Sequence, residues 1–431
     1  MGRFDLGFDY RNFHFIGIGG ISMSALAQAL FEDGCMVSGS DQSESETLAK
    51  LRALGMSVFA HHDGANIPNN CQVVVYNAAV AQDNPEIVEA RGRGLKLLDR
   101  AGLLGLLMRG YEHAICVAGT HGKTTTTSML AEIFMNAGCD PTVMNGGFLT
   151  SMGGSMRIGA DNKYFIVESC EYHNSFLKFD PYVGIILNLE LDHKDFFKDE
   201  RELRASFRAF AEMIPSAGLL VLNRDIPDKH EIIEGLKCQV LEFGREPLGF
   251  ELLVPGEHNV ENARAAVAVA RHFGLCEDAI KEALQNFTGA NRRFQKIGFC
   301  QGAEIVDDYA HHPTEVAATL TAARELEPSR LWVVFQPHTP GRTAEFLQQF
   351  AESLTLADKI IVTDIYRPAG RREEEAKVHA RDLTALIEQN CTYIADFDKV
   401  TAYLKANLQK GDMAITMGAG DVYKIANMLC P

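Results

Sequence analysis

The stretch HAICVAGTHGKTTTT, residues 113–127, decides the fold. Its opening apolar run reads as a strand that enters a glycine-bounded loop, and Met129, Leu130, Ile133 and Phe134 then recur on one face of a helix ending near Gly138. The loop is Gly119-Thr120-His121-Gly122-Lys123-Thr124-Thr125. Two glycines let backbone amides turn toward a phosphate, Lys123 adds a positive charge, and Thr124 offers a hydroxyl to a metal ion. The strict phosphate-loop pattern asks for glycine at position 117, where this chain has Val117, so the loop is a variant. The plain alternative is a glycine-rich turn that binds nothing. Gly-Lys-Thr placed directly before an amphipathic helix favours a nucleotide triphosphate site.

The same strand, turn and helix grammar appears on both sides of this stretch. Upstream, FHFIGIGG (13–20) enters a helix with Met23, Leu26, Ala27, Leu30 and Phe31 at helical spacing, and Gly34 supplies the stop. CMVSGSD (35–41) and CQVVVYNAAV (71–80) read as further strands. Downstream of the loop, strands are expected at 164–170, 183–190 and 218–223, with helices over ERELRASFRAFAEMI and NVENARAAVAVARHF. After FTGANRRF (287–294) the grammar restarts as LWVVFQPH, AEFLQQFAESL, KIIVTDIY, ARDLTALIEQN, CTYIADF, VTAYLKANL and MAITMGAGD. At ~150 residues per domain, 431 residues permit two or three domains. The fold class is therefore α/β with three domains: a Rossmann-like N-terminal domain at 1–106, a central P-loop ATPase α/β domain at 107–291, and a Rossmann-like C-terminal domain at 292–431.

Composition narrows the partners. With 46% hydrophobic and 23% charged residues, the chain is an ordinary globular protein. Its 41 Lys+Arg against 57 Asp+Glu give a net charge of −16, which argues against a broad surface for nucleic acid. Ten cysteines stand singly with no Cys-x-x-Cys pair, a pattern suited to free thiols in a reducing cytoplasm. No run reaches the ~18 apolar residues of a membrane span, so no membrane partner is expected. RREEEA (371–376) reads as a solvated loop.

Further clusters sit where strands end. Gly17-Ile-Gly19-Gly20-Ile-Ser22 is similar to the dinucleotide fingerprint with Ser22 in place of its third glycine, and Asp41 closes the next strand where a ribose-binding acid belongs. Glu168 ends YFIVE and His193 follows VGIILNLE, both at strand ends beside the phosphate loop. With Thr124 they make a set able to hold Mg²⁺, although a strand-end acid also serves as a helix cap and a lone histidine as a loop residue. Asn259 and Asn262 open a helix one turn apart, suited to a purine edge or, for Asn259, to an N-cap. Asp307-Asp308-Tyr309-Ala310-His311-His312 and Gln336-Pro-His-Thr-Pro-Gly-Arg342 close strands of the third domain. Acid, phenol, imidazole and guanidinium there suit a small zwitterion, with Arg342 taking its carboxylate.

Taken in order, GIGGISMS, GTHGKTTTT, ESCEYHNSFL, NLELDHKDFF, PGEHNVENARAA, NRRF, DDYAHHPTE, FQPHTPGRT and MGAGD resemble the Mur ligases from about residue 13 to 421. The resemblance implies an enzyme that uses ATP and Mg²⁺ to join an amino acid to a UDP-sugar during peptidoglycan synthesis. Gly19, Gly20, Ser22, Asp41 and His62 match the region that holds UDP-N-acetylmuramate. Lys123 matches the phosphate lysine, and Thr124, Glu168 and His193 the magnesium ligands. Asn259 and Asn262 match the adenine contacts, Arg293 the phosphate arginine, and Asp308 the ribose acid. Tyr309, His311 and Arg342 match positions around the incoming amino acid, and His193 or His311 stands near its amine without either being assigned as a base.

Within the family, ESCEY and DDYAHHPTE lean to the branch that adds L-alanine rather than the one that attaches a recycled tripeptide. Several relatives carry a carbamylated lysine after the DHKDFF motif; ERELRASFRAF has no lysine, so no such modification is expected. Thr339 stands where some members have arginine, which leaves the carboxylate mostly to Arg342. LEFGREPLGFELLVPGEHN (241–259) joins two motifs more tightly than is usual, either because a surface hairpin is missing from the protein or because residues are absent from the chain. Ligands reaching separate domains imply hinge closure, and the expected state is a monomer or weak homodimer.

Overall fold

The computed structural model describes residues 10–77, 80–192, 196–367, 378–387 and 390–431. Three sheets account for the strands. The first holds β1 (Asn12–Ile16), β2 (Met36–Ser40), β3 (Ser57–Phe59), β4 (Val73–Tyr76) and β5 (Lys96–Asp99) in the order β3-β2-β1-β4-β5, every pair parallel. The second holds β6 (His113–Ala118), β7 (Thr142–Leu149), β8 (Gly154–Arg157), β9 (Tyr164–Glu168), β10 (Val183–Ile186), β11 (Leu219–Asn223) and β12 (Gln239–Phe243). Its order is β12-β11-β10-β6-β9-β7-β8, parallel except for β7 against β8. The third holds β13 (Gln295–Cys300), β14 (Ala303–Asp308), β15 (Leu331–Phe335), β16 (Lys359–Val362), β17 (Cys391–Tyr393) and β18 (Met413–Met417), in the order β13-β14-β18-β15-β16-β17. Only β13 against β14 is antiparallel there.

By internal packing the chain divides into two compact units, Met1–Leu248 with Asn262–Leu284, and Gly249–Glu261 with Gln285–Pro431. The first unit carries the first two sheets and the second carries the third sheet.

Why these runs become central strands is visible in β6. Ala114, Ile115, Cys116, Val117 and Ala118 are all buried because helices cover both faces of a parallel sheet, so the run needs no polar alternation. Burial of each large aliphatic side chain contributes about 1.5–3 kcal/mol. The helix Lys123–Asn136 buries Met129, Leu130, Ile133 and Phe134, and Gly138 follows at φ 75°, a left-handed stop that a side chain would strain.

Several expected elements are shorter than their sequence runs. The strand expected at 183–190 ends at Ile186, because Leu187 to Glu190 turn away to brace the phosphate loop. The helix expected over AEFLQQFAESL is two helices, Pro340–Glu345 and Leu347–Leu354, broken at Phe346. The antiparallel edge strands β8 and β13 had no clear sequence signal. Residues 244–256 hold neither helix nor strand, so no hairpin stands there and β12 is left as the sheet edge. The charge run 371–376 lies outside the described residues. All ten cysteines are free thiols. No described helix is long and apolar enough to cross a membrane.

Candidate active site

The phosphate loop leaves the carboxyl end of β6 and closes on the helix Lys123–Asn136, so its amides face the place where ligands collect in such sheets. Gly119 has φ 139° and Gly122 φ 83°, conformations that a side chain would strain. Contact adds to the demand at Gly122, where a Cβ would lie 2.3 Å from Oδ1 of Asn262. Asn262, expected to meet adenine, therefore packs directly against the loop. Asn188 fixes the other side: its Oδ1 accepts from the His121 amide at 2.8 Å and its Nδ2 donates to the His121 carbonyl at 3.1 Å. Thr120 Oγ1 donates to the Glu190 carbonyl at 2.9 Å, while Thr125 is buried in the first helical turn.

Lys123 folds back over the loop. Its Nζ donates to the carbonyls of Gly119 at 2.5 Å and Thr120 at 2.9 Å, and to Glu171 Oε2 at 3.0 Å. Burial works to lower the lysine pKa, but the charges of Glu171 and its neighbours outweigh it and hold the ammonium well above its ordinary range. Glu171 is only 2% exposed. It lies three residues past the end of β9, just before a sharp turn with His173 and Asn174 both at φ 53°. Nothing in the sequence spacing singled out Glu171.

Thr124 Oγ1 donates to Glu168 Oε2 at 2.7 Å, and the Gly146 amide donates to the same oxygen at 2.9 Å. A hydroxyl and a carboxylate side by side at the loop suit magnesium, which takes oxygen ligands. Gly146 is a second residue that the sequence did not mark. His193, the third expected ligand, lies outside the described residues.

In the first sheet, Gly19 donates its amide to Asp41 Oδ2 at 2.8 Å, and Gln42 donates to Asp41 Oδ1 at 2.7 Å. Asp41 thus braces the glycine-rich turn in this structure, rather than standing with both oxygens open to a ribose. Gly20 caps the helix Ile21–Glu32, whose second residue is Ser22. His62 Nδ1 lies 2.9 Å from Ser40 Oγ.

In the second unit, Asp308 ends β14 and is 6% exposed. It accepts from the amides of Phe294 and Ala310, each at 2.7 Å. Burial pushes its pKa up to about 6, against the lowering influence of Arg293 and those amides. A raised acid favours the folded state most below its unfolded pKa near 3.8, and that stability is lost as pH rises through about 6. The whole effect is at most about 3 kcal/mol. Asp308→Asn, which cannot titrate, should therefore gain on the wild type between pH 4 and pH 7 in denaturant unfolding, on top of a constant offset for its lost acceptor. A difference that does not vary with pH would contradict this.

Arg293 lies 5.1 Å over the Tyr309 ring and 4.0 Å from Glu315, between Arg292 at φ 60° and Phe294 at φ 48°. Arg292 pairs with Asp307 at 3.0 Å and donates to the Gly418 and Gly420 carbonyls. Tyr309 and His311 come together edge to face at 5.2 Å, His311 meets His338 at 5.7 Å, and His338 stacks on Tyr366. Arg342 lies on the helix Pro340–Glu345, just after His338 in the chain, and Thr339 before it is buried at φ 59°. Asn259 is the third residue of the helix Glu257–His272 and donates its Nδ2 to Pro255 at 2.6 Å, so the N-cap reading does not hold.

These sites on three α/β sheets define an ATP-dependent ligase, and the chain belongs to the Mur ligase family. It matches the Mur ligase family catalytic domain at residues 12–112, the Mur ligase middle domain at 117–249 and the Mur ligase glutamate ligase domain at 292–420. Among its relatives, the UDP-N-acetylmuramate-L-alanine ligase of Lachnospira eligens is 45% identical over 448 aligned positions, covering 96% of this chain and 97% of that one. The structure of the UDP-N-acetylmuramate-alanine ligase from Thermotoga maritima matches with a TM-score of 0.79 at 28% identity, covering 97% and 98% of the two chains. A murein peptide ligase from Psychrobacter arcticus shares the fold, with a TM-score of 0.70 at 24% identity over 97% and 98%.

Proposed function

We propose that this enzyme joins L-alanine to the lactyl carboxylate of UDP-N-acetylmuramate at the expense of ATP, in the cytoplasm, supplying a peptidoglycan precursor for cell wall growth, cell shape and division. The observation that carries the reading is the Gly119–Thr124 loop with Thr124 and Glu168 in contact at 2.7 Å, in a chain 45% identical over nearly its full length to an alanine ligase. The division at 1–106, 107–291 and 292–431 assigns the UDP-sugar, ATP and amino acid to successive domains. A monomer or weak homodimer suits this reading.

A carboxylate is a poor electrophile, so the γ-phosphoryl group first passes to the lactyl carboxylate and makes an acyl phosphate with a good leaving group. Lys123 trades the loop carbonyls for phosphate oxygens and neutralises charge that builds during the transfer. Magnesium, held by Thr124, Glu168 and by resemblance His193, supplies further charge neutralisation when bound. Arg342 holds the alanine carboxylate beside Tyr309 and His311, so that the free amine attacks the acyl carbon and phosphate leaves. Asn259, Asn262, Arg293 and Asp308 take ATP and Asp41 takes the UDP-sugar, the two acids through lone pairs that their amide partners leave open. The helix Glu200–Glu212 carries no lysine to carbamylate.

Phosphate release in the presence of ATP, Mg²⁺ and UDP-N-acetylmuramate is expected to depend on L-alanine. Release indifferent to L-alanine, or driven only by a tripeptide, would overturn the assignment and favour the recycling ligase.

A further inference from the structure

Beneath the glycine-rich turn of the first sheet lies a buried polar cluster that no step above uses. At its centre is Glu86, in the first turn of the helix Pro85–Gly92 and 0% exposed. Its carboxylate collects groups from three separate parts of the sheet. Ser40 Oγ, at the end of β2, donates to Oε2 at 2.5 Å. From the loop after β3, Asn66 Nδ2 donates to Oε1 at 2.9 Å and His62 Nδ1 lies 3.3 Å from Oε2. From β1, the fully buried His14 brings Nε2 to 3.6 Å from Oε1, while its Nδ1 meets Ser38 Oγ at 2.8 Å.

An acid this deep costs several kcal/mol unless its partners compensate. Burial does push Glu86 up, but His14, Ser40 and Asn66 outweigh it and the pKa ends below the ordinary value, so the group is a carboxylate. That fixes the protons around it. A carboxylate only accepts, so Ser40 spends its hydroxyl proton on Glu86 and has lone pairs to offer His62. The 2.9 Å contact between Ser40 Oγ and His62 Nδ1 then requires the proton on Nδ1. In the neutral ring the other nitrogen, Nε2, is then the acceptor, on a side chain that remains 16% exposed. The same Ser40 accepts the amides of Gly17 at 2.8 Å and Ile18 at 2.9 Å through its carbonyl, so histidine and glycine-rich turn are tied to one residue.

We propose that Glu86 is a positioning residue for nucleotide recognition: through Ser40 it locks His62 as the Nδ1–H tautomer, so that Nε2 accepts a hydrogen bond from a donor on the nucleoside half of the UDP-sugar. The proposal rests on the reading that this sheet binds the UDP-sugar. It makes His62 a reader of a hydroxyl or ring N–H rather than a phosphate clamp.

Three measurements on the full chain test it. Nitrogen-15 NMR of the wild-type imidazoles at neutral pH should show His62 as the neutral ring protonated on Nδ1, and a dominant Nε2–H or doubly protonated form would overturn the proposal. Calorimetric titration with UDP should give a Kd raised about tenfold in His62→Ala and in Glu86→Gln. The double variant should bind no more weakly than His62→Ala, because Glu86 acts through the histidine; losses that multiply would overturn it. ATP affinity unchanged in each variant shows that the fold survives. If Glu86→Gln does not fold, the wild-type tautomer and the His62→Ala affinity still decide, since unaltered UDP binding in His62→Ala refutes the role. A wild-type chain that binds no UDP would instead sink the assignment of the sheet itself.

Discussion

Lys123→Met should lower kcat by about 10³-fold or more in the phosphate-release assay, while UDP affinity stays within twofold of wild type. The kinetic part follows from the place of Nζ, bonded to the Gly119 and Thr120 carbonyls at the mouth of the loop. Removing one preorganised charge from a site of phosphoryl transfer costs at least as much as removing one hydrogen-bond donor, about 10²–10³-fold. The same variant should also be less stable. Glu171 is 2% exposed and its carboxylate is held by Lys123 at 3.0 Å, so methionine leaves a buried charge unpaired at a cost of about 3–5 kcal/mol. Adding Glu171→Gln to Lys123→Met should recover much of that stability and none of the activity. Turnover within tenfold of wild type would show that Lys123 does not act on the phosphate, and equal stability of the single and double variants would show that the pair is not compensated as described.

Gly146→Ala should cut kcat/KM by about 10²-fold and raise the Mg²⁺ concentration needed for half-maximal activity. A Cβ at this position would fall 2.2 Å from Oε2 of Glu168 and 2.6 Å from its Cδ. The carboxylate must move, and with it the 2.7 Å contact to Thr124. Misplacement of a reacting group by about 1 Å costs on that scale. Gly138→Ala is the matched control: it takes a glycine at φ 75° with nothing within 4 Å, so it should cost some stability and leave the Mg²⁺ dependence alone. A normal Mg²⁺ titration in Gly146→Ala would show that Glu168 is not held where the magnesium reading requires it.

Neither Glu171 nor Gly146 was legible in the sequence, and the reason is the same for both. Glu171 follows Glu168 by three residues in ESCEY. Whether it faces solvent or lysine depends on how the chain folds back past the end of β9, which residue identity does not announce. Gly146 lies in β7, two strands from the phosphate loop's β6, and matters only because β9 between them delivers Glu168 to its amide. Asn188 was hidden inside a run that looked like strand to its end, yet leaves the strand to clamp His121. Asp41 and Asp308 were legible as strand-end acids, but only one of the two amides each accepts is local, from Gln42 and Ala310; the other comes from Gly19 and from Phe294, farther along the chain.

What the sequence by itself determined is the order of things: three restarts of strand, turn and helix, a phosphate loop with its lysine and hydroxyl, and acids and histidines at strand ends. These are local facts, set by glycine's backbone freedom, by apolar runs that bury on both faces, and by helix periodicity. Tertiary structure alone decided which partners those residues meet. A sheet in the order β12-β11-β10-β6-β9-β7-β8 brings together residues that no spacing relates, and a buried carboxylate such as Glu86 or Glu171 takes its meaning from the groups that compensate its charge, which only packing supplies.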